Sequence, residues 1–208
     1  MKTALNGLVF KCIILSAICG GAVNAPAKAA DYFPMAVGNQ WFMRATYENQ
    51  IMTIKMQVVA QHIVHGKTEY TLDYHRNSTP FQREVYIVGK NGVYRTEGGP
   101  AGLFTVNPPI PMIEYPLVKG KKWRWSGVIH GSHLTSDFHV IGPVQLKTPA
   151  GKFDTMKIQQ TINITSQAGT SRVTNIFWFA KGIGIVRQFA NLGLTTIKMV
   201  LTKYHLAS

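Results

Sequence analysis

MQVVAQHIVHGKTEYTLDYH, residues 56 to 75, decides the fold class. In its second half Tyr70, Leu72 and Tyr74 fall on one face of an extended chain, and Glu69, Thr71, Asp73 and His75 on the other. Alternation at period two marks an antiparallel strand with one face to a core and one to water. His65-Gly66 suits a two-residue hairpin turn, which needs positive φ at both positions. Strict pairing about that turn sets Val58 against Asp73 and Met56 against His75, core against water. A β-bulge between Val58 and Ala60 restores Val58 opposite Leu72 and Met56 opposite Tyr74, so a bulge is predicted there.

The same period extends along the chain. In KIQQTINIT, residues 157 to 165, Ile158, Ile162 and Ile164 oppose Lys157, Gln159, Thr161, Asn163 and Thr165. In TIKMVLTK, Ile197, Met199 and Leu201 oppose Lys198 and Thr202. Asn91-Gly92, Gly131-Ser132, Pro149-Ala150-Gly151, Ala168-Gly169 and Gly182 supply turn chemistry at short intervals. No window makes a convincing amphipathic helix. The expectation is an all-β chain: an antiparallel meander of about ten to twelve strands forming a strongly curved sheet, half-barrel or barrel.

Two stretches nearly repeat. MAVGNQWFMRA (35 to 45) is echoed by LVKGKKWRWSG (117 to 127), and VYIVGKNGVYR (85 to 95) by FWFAKGIGIVR (177 to 187). Each pair places a tryptophan after a loop glycine, or an aromatic strand before a glycine turn and a closing arginine. The reading is one domain, residues 30–208, with pseudo-repeated halves at about 35–97 and 117–190. A strap at 98–116 joins them; its five prolines remove ladder donors and rule out a central strand.

Residues 1–29 read as a cleaved signal peptide: Lys2 and Lys11 precede the uncharged run from Cys12 to Val23, and Ala27-Lys28-Ala29 supplies the small-x-small site. Export to the periplasm or medium follows. The run is too short to span a bilayer, and no later stretch is apolar enough, so no transmembrane helix is expected in the mature chain. Cys19 follows Ser16-Ala17-Ile18, a poor lipobox, so a lipid anchor is not expected. Both cysteines fall in the leader, and about 179 residues suffice to bury a core without disulfides.

The chain carries net charge +13, or +10 once Lys2, Lys11 and Lys28 of the leader are removed. Such an excess favours anionic partners: lipid, lipopolysaccharide or another anionic envelope component. The basic residues are scattered, with one cluster at Lys119, Lys121, Lys122 and Arg124, and no nucleic-acid module is recognisable.

His130-Gly-Ser-His133 is the most suggestive constellation. With Gly131-Ser132 as the turn, the imidazoles would face each other at about 5 Å across a hairpin. Asp137 would then lie about 13 Å from His133, and a structural metal wants four ligands, so no metal and no cofactor are expected. The same register sets Arg124 opposite His139 and Ser126 opposite Asp137. Arg124, His130, His133, Asp137 and His139 thus form one polar ribbon face, an exposed surface or a contact for an anionic ligand. Trp123 and Trp125, with Phe177 to Phe179, are dense enough that some are expected to line a ligand cavity. Catalytic motifs are missing: no nucleophile elbow, P-loop or zinc-protease helix occurs, and the acids are few and dispersed.

DYFPMAVGNQW, PLVKGKKWRW, TPAGKFDTMKI and WFAKGIGIV together resemble a group of uncharacterised exported bacterial proteins. The resemblance covers nearly all of the mature chain and rests on glycine turns and strand-edge aromatics. It implies an extracytoplasmic all-β domain, with a curved half-barrel like those of periplasmic lipoprotein carriers, and carries over no catalytic residue. The function expected is an envelope protein that binds an amphiphilic or anionic ligand, or a partner, without catalysis. The alternatives are a secreted hydrolase using the His/Asp/Arg face and a purely structural interaction module.

Overall fold

The structure is a computed structural model that describes residues 32–207 apart from Asn49, 100–103, His130 and 167–168. The proposed leader and His130 therefore lie outside the described residues. Twelve strands follow in chain order. The first six are β1 (Gln40–Tyr47), β2 (Gln50–Val64), β3 (Lys67–Arg76), β4 (Thr79–Gly89), β5 (Gly92–Gly99) and β6 (Phe104–Glu114). The second six are β7 (Lys122–Ile129), β8 (Ser132–Thr148), β9 (Gly151–Ser166), β10 (Gly169–Ala180), β11 (Gly184–Asn191) and β12 (Thr196–His205).

All twelve belong to one antiparallel sheet in the order β6-β5-β4-β3-β2-β1-β12-β11-β10-β9-β8-β7. Each strand pairs with its chain neighbours except β6 with β7, and β1 pairs with β12. The terminal strands β6 and β7, linked by residues 115–121, lie against each other without forming a ladder, so the sheet curls into a nearly closed barrel.

The β2–β3 hairpin forms in the predicted register. Val64 pairs with Lys67, the ladder shifts between Val58 and Ala60, and Val58 meets Leu72 and Met56 meets Tyr74. His65 and Gly66 have φ of 49° and 73°, the left-handed pair that a primed turn demands. Two other turns sit one residue from expectation. Gly89 pairs with Gly92, so Gly92 already stands on the ladder. A Cβ there would collide with the backbone carbonyl of Ile113, which makes this glycine a packing requirement of β6 crossing close by. At the second, Ile129 pairs with Ser132, and His133 faces Val128.

Alternation delivers the core. Trp41 and Met43 of β1, Met56 and Val58 of β2, Leu72 of β3, Phe138 and Val140 of β8, Ile158 of β9 and Leu201 of β12 are all buried. The segment before β1 closes one end. Phe33 and Met35 are buried, and Phe33 stacks on Trp41 and meets Tyr86 and Phe179 edge-on at ring separations of 5.3 to 6.4 Å.

The open seam has a chemical cause. β6 carries Pro108, Pro109 and Pro111, which have no N–H to donate to a ladder. Side chains of β7 take over: Trp123 Nε1 donates to Pro111 O at 2.7 Å and Trp125 Nε1 to Pro108 O at 2.8 Å. Just before β7, Lys121 Nζ donates to the carbonyls of Glu114 and Tyr115. Tryptophan replaces backbone as the donor across the seam.

Candidate functional site

Within the barrel lies a cavity of about 480 Å³. Its wall runs from Tyr86 and Ile185 in the depth to Tyr47, Arg76, Phe81 and Ile197, which stand next to the β1–β2, β3–β4 and β11–β12 turns. Those turns lie at one end of the meander, opposite the end closed by Phe33. Most of the wall is apolar, with Ala45, Met52 and Ile54 from β1 and β2, and Ala190 and Met199 from β11 and β12.

One buried carboxylate organises the polar part. Glu84 on β4 is 5% exposed. Strand alternation puts Gln82, Glu84 and Tyr86 on the same inward face, and Tyr74 and Arg95 reach it from the neighbouring strands β3 and β5. Glu84 accepts from Tyr74 Oη at 2.6 Å, Tyr86 Oη at 2.5 Å, Gln82 Nε2 at 2.9 Å and Arg95 Nη1 at 2.8 Å. Four donors from three strands saturate its lone pairs, which is what a buried charge needs. Burial, and then the charge of Glu84, push the phenols of Tyr74 and Tyr86 well above their ordinary value. Burial by itself would weaken the charge of Arg95, but Glu84 outweighs it and holds the guanidinium protonated.

Arg95 differs from the rest of the cluster. Its side chain keeps 23% of its surface accessible and lines the cavity. Glu84 engages one guanidinium nitrogen, so donors remain for an incoming acceptor. Across the cavity, β9 to β11 present amides: Asn175 Nδ2 donates to Gln160 Oε1 at 3.1 Å, Gln160 Nε2 donates to Ser136 Oγ at 3.2 Å, and Gln188 completes this wall.

The residues singled out from sequence lie elsewhere. Arg124 pairs across the ladder with Asp137, not with His139, because the β7–β8 turn falls one residue earlier than expected. Their side chains are 67% and 51% exposed, with Arg124 Nε 3.5 Å from Asp137 Oδ1, an outer-surface ion pair of little energetic weight. His139 faces Lys122, and exposed His133 lies 3.5 Å from Ser126 Oγ. Trp123 and Trp125 are buried at the seam. None of these lines the cavity, whereas Phe177 does. Trp178 points outward, between Lys157 and Arg187 at 5.4 and 5.7 Å. Among the described residues no group of three or more His, Cys, Asp or Glu could hold a metal.

Sequence reasoning missed Glu84, Tyr74, Tyr86 and Arg95 as a unit. The available signal was an acid in phase with buried aromatics: QREVY, residues 82 to 86, places Glu84 two residues before Tyr86 on the core-facing parity.

With this geometry in view, comparison with known proteins adds fold but little chemistry. A family model described as DUF3108-like matches residues 132–190, the stretch from β8 to most of β11. No functionally curated protein matches the sequence. Among solved structures, a lipoprotein candidate from Parabacteroides distasonis is similar at a TM-score of 0.57 with 15% identity, over 84% of this chain and 98% of that one. A candidate exported protein of YmcC-like fold from Bacteroides fragilis gives a TM-score of 0.51 with 13% identity, over 85% of this chain and 99% of that one. At such identities the likeness concerns the fold.

Proposed function

We propose that this chain is an exported envelope protein whose barrel interior holds an amphiphile, the apolar part against Met52, Phe177 and Met199 and an acceptor-bearing or anionic head toward Arg95. The observation that carries this reading is the cavity: its volume of about 480 Å³ lies in the range of small-molecule sites, and its lining is apolar with a few convergent polar groups. Arg95 supplies a permanent positive charge in a water-poor setting, where a headgroup contact is stronger than at the surface. Nothing in the cluster is arranged as a nucleophile with a base, so binding is favoured over catalysis. Export rests on the leader pattern and accords with the kinds of protein that share the fold. The expectation against a lipid anchor finds no support there, since one of those proteins is itself a lipoprotein candidate.

The test is direct. Native mass spectrometry of protein purified from its own envelope should show a bound small amphiphile that is released on denaturation. In vitro, displacement of an environment-sensitive fluorescent probe by long-chain fatty acids should be strong for the wild type. It should be weakened at least tenfold by Ala190→Phe, which fills the cavity. A wild type that takes up no probe, or uptake indifferent to Ala190→Phe, sinks the reading.

A further inference from the structure

The meander sends successive turns to opposite ends of the barrel, which sorts charge in a way the linear sequence conceals. The β2–β3, β4–β5, β6–β7, β8–β9 and β10–β11 connections share the end opposite the cavity mouth. Each carries a lysine or has one on the strand residues beside it: Lys90, Lys119 and Lys181 lie in the connections, and Lys67, Lys147 and Lys152 on the adjoining strand ends. All six are exposed. The described residues of the turns at the mouth, Glu48, Asn77-Ser78, Gly131 and residues 192–195, contain no lysine or arginine, and of the strand residues within two positions of these turns Arg76 alone is a lysine or arginine.

Lys147 and Lys152 are direct cross-strand partners. Like charges placed opposite each other on a ladder are unfavourable unless something outside compensates them. Among the described residues, acids at this end are fewer: Glu69, Glu114, which lies 4.0 Å from Lys121, and Asp154. Exposed aliphatic side chains occur at this end, with Val37 at 48%, Val118 at 53% and Ile63, near the tip of the β2–β3 hairpin, at 77%; Ile51, Leu192 and Leu194 are exposed at the mouth as well, so it is lysine that sets the two ends apart. Lysines encircling protruding aliphatic residues are the pattern of a surface that rests in an anionic headgroup layer. The segment from Phe33 to Gly38 packs at this same end, Gly38 against Ala207 and Pro34 against Gly184.

We infer that the lysine-bearing end docks on an anionic lipid bilayer, holding the cavity mouth away from the membrane. The inference does not depend on what the cavity binds. Vesicle co-sedimentation of the full-length chain tests it, with phosphatidylglycerol-containing vesicles set against phosphatidylcholine alone. The difference between the two removes any charge-indifferent contribution from the leader. Wild type should prefer the anionic vesicles, and the preference should fall with added salt. Changing Lys67, Lys90, Lys147, Lys152 and Lys181 together to glutamine should weaken that preference by about a hundredfold or more. Changing Arg44, Arg172 and Lys198, all exposed and away from this end, should alter it by less than about threefold. Equal far-ultraviolet circular dichroism and thermal midpoints would show that both variants fold. No preference in the wild type overturns the inference, as does an equal loss in the two variants, or retention on a soluble polyanion column without any on vesicles.

Discussion

Glu84 is the residue on which the interior turns. Converting it to glutamine removes the charge that pairs with Arg95 while leaving the guanidinium inside, and breaking a buried pair from one side costs about 3 kcal/mol or more. Urea unfolding of Glu84→Gln should show a lowered midpoint at unchanged slope. The two phenols add a pH signature. Their folded-state pKa values are raised above the ordinary value of 10.0, so the folded chain retains protons that the unfolded chain has released. That contribution is fully present below about pH 10 and is lost as pH rises from there toward the folded-state values. Stability measured from pH 8 to 11 should therefore fall above about pH 10, and Tyr74→Phe or Tyr86→Phe should flatten the fall. Gly92 makes the other residue-scale case. Gly92→Ala should cost about 2 kcal/mol or more, since backbone, which does not yield, occupies the space.

At the scale of elements, the β6–β7 seam is the place where the barrel departs from a continuous ladder. Its prolines explain why, and its tryptophans explain how the edge is still protected. Gly127 belongs to this arrangement: a Cβ there would stand 2.5 Å from the Trp125 ring and 3.2 Å from Asn107 O. Trp125→Phe keeps most of the apolar surface but deletes the donor to Pro108 O, leaving a loss of about 1 kcal/mol. Amide hydrogen exchange should quicken on β5 and β6 in that variant while β1 and β12 keep their protection. Uniform acceleration across the sheet, or none, would show that the indole bonds do not hold the seam.

For the whole molecule, closure at the end away from the mouth depends on Phe33, which joins the residues ahead of β1 to Trp41, Tyr86 and Phe179. Phe33→Ala should destabilise by about 3 to 5 kcal/mol, the range for a buried phenylalanine. It should also open the cavity's floor, detected as increased binding of a hydrophobic dye to the folded protein. The molecule is polar in two senses, with a mouth at one end and lysines at the other.

By itself the sequence determined the all-β class, the alternation of nearly every strand and the β2–β3 register down to its bulge. Those are local matters, settled by side-chain period and by the φ that His65-Gly66 must adopt. Tertiary structure alone decided which inward residues meet. Glu84 and Arg95 are eleven residues apart and read as ordinary charges until three strands converge on them. For the hairpin of Arg124, Asp137 and His139, neighbours close in sequence, a turn at Gly131-Ser132 sets Arg124 against His139. The turn falls one residue earlier and pairs Arg124 with Asp137, because the side-chain period alone does not fix where a glycine turn begins. Which end of the barrel each lysine occupies depends on the sheet curling so that alternate turns gather, a property of closure that no stretch of the chain contains.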